Sequence, residues 1–94
     1  MKLNFDVGVH ERHEVTFSFS KFWGGLSILV DGRPVHQELR VLSVDLVKRY
    51  EFTVGQDERH AVLIEKERKL FLAGFRPQRV RAYVDGRLVA EGSA

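Results

Sequence analysis

The chain contains no cysteine. Disulfide bridges, thiolate metal sites and a cysteine nucleophile are therefore excluded, and the composition fits a reducing compartment. It has two prolines, one methionine and one tryptophan, and no tract of biased composition. A proline-rich linker or a low-complexity segment is excluded on that basis. No apolar run approaches the roughly 18 residues that a membrane helix needs. The opening residues, Met1 to Asp6, meet an acid before any apolar stretch, so no signal peptide is expected and a cytoplasmic setting is. Charge of one sign is also scarce: 15 basic against 13 acidic residues leave a net charge of +2, far from the excess of a strong nucleic-acid binder. The charge is unevenly divided, because residues 1–47 hold 5 basic and 6 acidic residues and residues 48–94 hold 10 and 7.

The chain does contain a repeat. Phe5, Val7, Gly8, Glu11, Arg12, His13 and Val15 return as Phe52, Val54, Gly55, Glu58, Arg59, His60 and Val62, an offset of 47 in a chain of 94 residues. A second match pairs Leu26–Val35 with Val80–Val89, both carrying Val-Asp-Gly-Arg, at an offset of 54. The second copy thus holds seven extra residues, within 65–77. Period-2 alternation runs through both copies. Leu3, Phe5 and Val7, then Val15, Phe17 and Phe19, then Val62 and Ile64, then Val80, Ala82 and Val84 each alternate with other residues, the mark of a strand with one face toward a core. Asp-Gly between apolar strands signals a two-residue hairpin, because a type I′ turn needs positive φ at both positions.

These signals predict a single all-β domain. It is an antiparallel β-sandwich of about eight strands, pseudo-duplicated with halves near 1–47 and 48–94. Each half has one apolar face, and the two faces cover each other. The bridge at 38–47 fits either a strand or a helical stripe through Leu39, Leu42 and Leu46. Val41, Val44 and Val47 favour strand, because β-branched side chains lose rotamers in a helix.

The serial order is distinctive. An Asp-Val strand turns into His-x-Val-x-Phe, a glycine-containing loop leads to Val-Asp-Gly-Arg, and a bridge reaches "VKRYEFTVG" before a second Val-Asp-Gly. This order resembles the N-terminal β-sandwich domain of the Fas apoptotic inhibitory molecule family, over roughly residues 6–89. The resemblance implies a non-enzymatic protein acting through protein–protein contacts, in a family known for modulating apoptotic signalling and protein aggregation. Proteins of that type carry two tandem sandwich domains; this chain has length for one.

Candidate chemistry is sparse. His10, Glu11, His13 and Glu14 offer four ligand types in five residues, but His10 and His13 would point to opposite sides of an extended strand, and the second copy keeps only His60. No triad order, nucleophile elbow or paired-carboxylate frame occurs, so no enzyme, no metal and no cofactor are expected. Glu-Arg-His at two equivalent turns suggests a duplicated structural role. Arg79, Arg81 and Tyr83 share one strand face, which makes nucleic acid or another anionic ligand the alternative to a protein partner. The opposing reading is a solvated face with cross-strand acids. Phe22 and Trp23, in the loop at 21–26, and Phe75, in its counterpart at 69–77, either cap an open end of the core or make a contact. Leu29 faces away from Leu26, Ile28 and Val30; a homodimer through that face or an edge strand would account for it.

Overall fold

The alternating segments become nine strands in the computed structural model, which describes residues 2–19, 26–35, 39–44, 47–67 and 79–93. They are β1 (Lys2–Val7), β2 (His13–Phe19), β3 (Leu26–Val30), β4 (Arg33–Pro34), β5 (Arg40–Val44), β6 (Val47–Val54), β7 (His60–Glu67), β8 (Arg79–Val84) and β9 (Arg87–Ser93). Every pairing is antiparallel, and the strands form a four-stranded sheet β1-β2-β3-β4 and a five-stranded sheet β5-β6-β7-β8-β9. The fold is an all-β sandwich. Four strands in each sheet follow the repeat; the ninth is β5, where the bridge forms a strand, as its valines suggest. It adds to the second sheet, so the boundary near residue 47 falls at the β5–β6 hairpin and not between the sheets.

Both Asp-Gly hairpins have the backbone their sequence demands. Asp31 and Gly32 have φ of 51° and 79°, Asp85 and Gly86 φ of 51° and 82°, and they join β3 to β4 and β8 to β9. The inward residues meet in one core. Phe17, Val15, Ile64, Val80 and Ala82 are fully buried, with Phe5, Val7, Phe19, Ile28, Tyr50, Phe52, Val54 and Val62 around them. The sheets meet where the Phe17 ring lies 6.0 Å from that of Tyr50, tilted by 52°. The Lys66 ammonium, 4.0 Å above the Phe19 ring, makes a second contact between the sheets.

Coverage stops one strand short of the sheet. Val41 pairs with Tyr50 and so shares its inward face, yet Tyr50 is 5 % exposed and Val41 48 %. On the opposite margin, β9 runs close to β1. Phe22, Trp23 and Phe75 lie outside the described residues, as does most of the segment 65–77 in which the extra residues of the second copy fall.

Candidate functional site

The duplicated turns are anion nests. Gly8 and Gly55 both have φ of 102°, a backbone that L residues rarely adopt. A Cβ on Gly8 would overlap the Glu11 carbonyl oxygen and approach Glu58 Oε2 to 3.1 Å. On Gly55 it would overlap the Glu58 carbonyl oxygen and approach Glu11 Oε2 to 3.0 Å. The tight turns present successive amides to one point, which favours a bound anion. Each nest is filled by the glutamate of the other half. Val9, His10 and Glu11 donate their backbone N–H groups to Glu58 Oε2 at 2.9, 3.0 and 3.0 Å. Gln56 and Asp57 donate theirs to the Glu11 carboxylate at 2.8 and 3.0 Å.

Behind each glutamate stands the histidine of the same motif, and behind that the aspartate of the hairpin. His13 Nε2 is 2.6 Å from Glu11 Oε2, and its Nδ1 is 2.5 Å from Asp31 Oδ2. Asp31 Oδ1 accepts the Glu14 N–H at 2.8 Å, while the Asp31 N–H donates to the Glu14 carbonyl at 2.8 Å. The second copy repeats this with His60 Nδ1 2.5 Å from Asp85 Oδ2, the Ala61 N–H 2.9 Å from Asp85 Oδ1 and the Asp85 N–H 2.8 Å from the Ala61 carbonyl. One link is looser. His60 Nε2 lies 3.5 Å from Glu58 Oε1 and is buried without a hydrogen bond.

This chain of contacts determines the protonation states. Both nitrogens of His13 face carboxylate oxygens, and a neutral ring could donate to only one of them. Asp31 first, and Glu11 after it, raise the His13 pKa above 6.5. Asp85, followed by Glu58, does the same for His60. Glu11 is held at about 2, chiefly by His13 and then by the amides of Asp57 and Gln56. Glu58 is also held at about 2, here mainly by the amides of Glu11, Val9 and His10, with His60 contributing less. Asp31 and Asp85 are lowered by their histidines first and by one backbone amide each second. The imidazoles thus sit between acids, and the acids are engaged with amides. Glu11, one of the sequence-level metal candidates, has its carboxylate occupied in this way. Among the described residues no group of three or more such side chains is arranged to hold a metal ion.

The outer face of the five-stranded sheet carries the arginine candidates. One row across it reads Leu42, Arg49, Glu65, Arg81, Glu91, and the next reads Arg40, Glu51, Leu63, Tyr83, Leu88. Arg81 Nη2 is 3.7 Å from Glu67 and its Nε 3.9 Å from Glu91, while Arg49 lies 3.3 Å from Glu65. The cross-strand acids are present. A shallow groove of about 750 Å³ lies over the second row, between Arg40, Glu51, Leu63 and Tyr83. Arg79 is exposed at the start of β8. The structure brings Arg81 and Tyr83 onto one face but gives Arg81 acidic neighbours. Leu29 stands on the outer face of the other sheet, between Thr16 and Pro34, and is only half-buried.

The exposed apolar side chains lie elsewhere. Apart from Val9, the large exposed hydrophobics among the described residues are Val41 and Leu42 on β5 and Leu88 and Val89 on β9, at 41–48 %. Both strands are edges of the same sheet. Sequence reasoning used Val41 and Leu42 only to weigh strand against helix and did not mark either as exposed. It also missed Asp31 and Asp85 as partners of the histidines. The available signal was that the Glu-Arg-His and Asp-Gly motifs are duplicated together. No family model, no curated protein and no solved structure matches the chain.

Proposed function

We propose that the chain is a non-enzymatic interaction module that binds a protein partner by accepting an extended strand along β5. The observation carrying this reading is the pair Val41 and Leu42, 48 % and 41 % exposed on opposite faces of a terminal strand. Strand addition supplies backbone hydrogen bonds for affinity and side-chain contacts on both faces for specificity. The resemblance to the Fas apoptotic inhibitory molecule family supports the same reading, and the lack of cysteine fits a cytoplasmic setting. Glu11, His13, Glu58 and His60 are engaged in the two turn networks. An anionic ligand on Arg79, Arg81 and Tyr83 has less support, since Glu67 and Glu91 accompany Arg81. The test compares wild type with Val41→Lys in capture from a source-cell lysate. The expected result is a partner retained by wild type and lost by the variant, with the β5 amides protected from hydrogen exchange in the complex. Capture that is equal for both proteins, with β5 still exchanging freely, contradicts the proposal.

A further inference from the structure

The two turn networks differ at one link, and the difference makes one of them sensitive to a proton. Both imidazoles hold their hairpin aspartate through Nδ1 at 2.5 Å. At the other nitrogen they part. His13 Nε2 is 2.6 Å from Glu11 Oε2, whereas His60 Nε2 is 3.5 Å from Glu58 Oε1, buried and without a hydrogen bond. A ring with a carboxylate oxygen on each nitrogen needs both protons, and a ring bonded at Nδ1 alone needs one. The second copy thus displays the arrangement the first adopts when its imidazole loses a proton: the aspartate contact stays and the glutamate contact opens. Asp31 stays because the hairpin fixes it, with Oδ1 on the Glu14 N–H and its own N–H on the Glu14 carbonyl. Glu11, the longer side chain, gives way.

The nests that receive the two glutamates are also unequal. Glu58 Oε2 accepts three amides, from Val9, His10 and Glu11, and keeps them without a bond from His60. The Glu11 carboxylate accepts two, and the Gln56 N–H shares Oε2 with His13 Nε2. A neutral His13 that keeps its Nδ1 proton for Asp31 turns a lone pair onto that same oxygen. We infer that a proton on His13 gates the docking of Glu11 in the turn at 55–58, while Glu58 stays docked in the turn at 8–11 whether or not His60 is protonated. The interlocked turns then open on one side only, which frees the Gln56 and Asp57 amides. The charges acting on His13 are Asp31 and Glu11, and Arg33 of β4 lines the same crevice and acts on Asp31. Across that crevice Thr53, Val54, Gly55 and Gln56 are uncharged, and Asp57 is exposed and enters through its amide. Asp85 and Glu58 are the charges acting on His60. His13 is the first cause of the low Glu11 pKa and His60 the last of the low Glu58 pKa, which agrees with the geometry. Because the His13 pKa is raised above 6.5, the Glu11 latch is complete below 6.5 and is lost as pH rises through the raised value.

Nuclear magnetic resonance of the purified chain from pH 6.5 upward, with imidazole and amide signals recorded together, reads both latches. The Gln56 and Asp57 amide protons are expected to move upfield at the midpoint of the His13 ring, as they lose their carboxylate acceptor. The Val9 amide should show no step at the midpoint of the His60 ring. His13→Ala should move the Gln56 and Asp57 amides toward their alkaline positions already at pH 6.5, and His60→Ala should leave the Val9 amide in place. If His13→Ala is too unstable to fold, the wild-type titration decides alone. Gln56 and Asp57 amides that ignore the His13 midpoint overturn the inference. So does a Val9 amide that follows His60 as strongly as Gln56 follows His13, since the two latches would then be alike. A His60→Ala variant that releases the Val9 amide overturns it as well.

Discussion

Replacing Gly8 with alanine tests the interlocked turns, with Gly32→Ala as its matched control. Both positions have positive φ, 102° and 79°, so both substitutions strain an L residue. That strain is worth about 1–2 kcal/mol, and the stiffer unfolded chain returns roughly 0.4–1 kcal/mol. At Gly32 nothing lies within 4 Å of the new Cβ. The net loss there is about 1 kcal/mol or less, a fall in Tm of up to roughly 8 °C for a domain of this size. At Gly8 the Cβ meets the Glu11 carbonyl oxygen, and that is backbone, which cannot swing aside. The turn must open, adding about 1–3 kcal/mol of strain and displacing the amides that hold Glu58. The total is about 2–5 kcal/mol, or a fall in Tm of roughly 10–30 °C. Thermal melts by circular dichroism separate the two cases. Equal losses at Gly8 and Gly32 would refute the claim that this turn is built around the incoming carboxylate.

Three further outcomes are expected. Gly32→Val and Gly86→Val should each lower Tm clearly, since a β-branched residue tolerates positive φ poorly; an unchanged midpoint would remove the strained-turn explanation at that hairpin. Stability should be greatest between about pH 4.5 and 6.5. The carboxylate contributions are complete above 4.5 and disappear as pH falls toward about 2, whereas those of His13 and His60 are complete below 6.5 and disappear as pH rises through their raised pKa values; a melt series that is flat on the alkaline side contradicts this. Fluorescence anisotropy with a single-stranded oligonucleotide should show no binding even at low salt, and binding that weakens steeply as salt rises would return the arginine face to first place.

Much of this fold is legible residue by residue. Phe5 and Val7, Val15 and Phe17, and Val62 and Ile64 alternate because one face is buried, and they are buried. Asp31-Gly32 and Asp85-Gly86 turn where they should because few other pairs reach that backbone. The site was less legible. His13 and Asp31 are 18 residues apart, and Glu58 and the Val9 amide 49, so no local pattern places them together. The relative placement of the sheets decides those contacts, and period-2 alternation carries no information about it. Val41 shows the same limit from the other side. It helps mark its segment as strand, but no local pattern shows that it is 48 % exposed beside a Tyr50 that is 5 % exposed.

Each half of the duplicated chain holds the other by a carboxylate. Nuclear magnetic resonance titration of the Glu11 and Glu58 carboxyl carbons, followed together with the backbone amides, tests it most directly. Both carboxyls should titrate near 2, with the Val9, His10 and Glu11 amides shifting in step with Glu58 and those of Gln56 and Asp57 in step with Glu11. Midpoints near 4.5 in the folded protein, with no response from the amides of the opposite half, would contradict it.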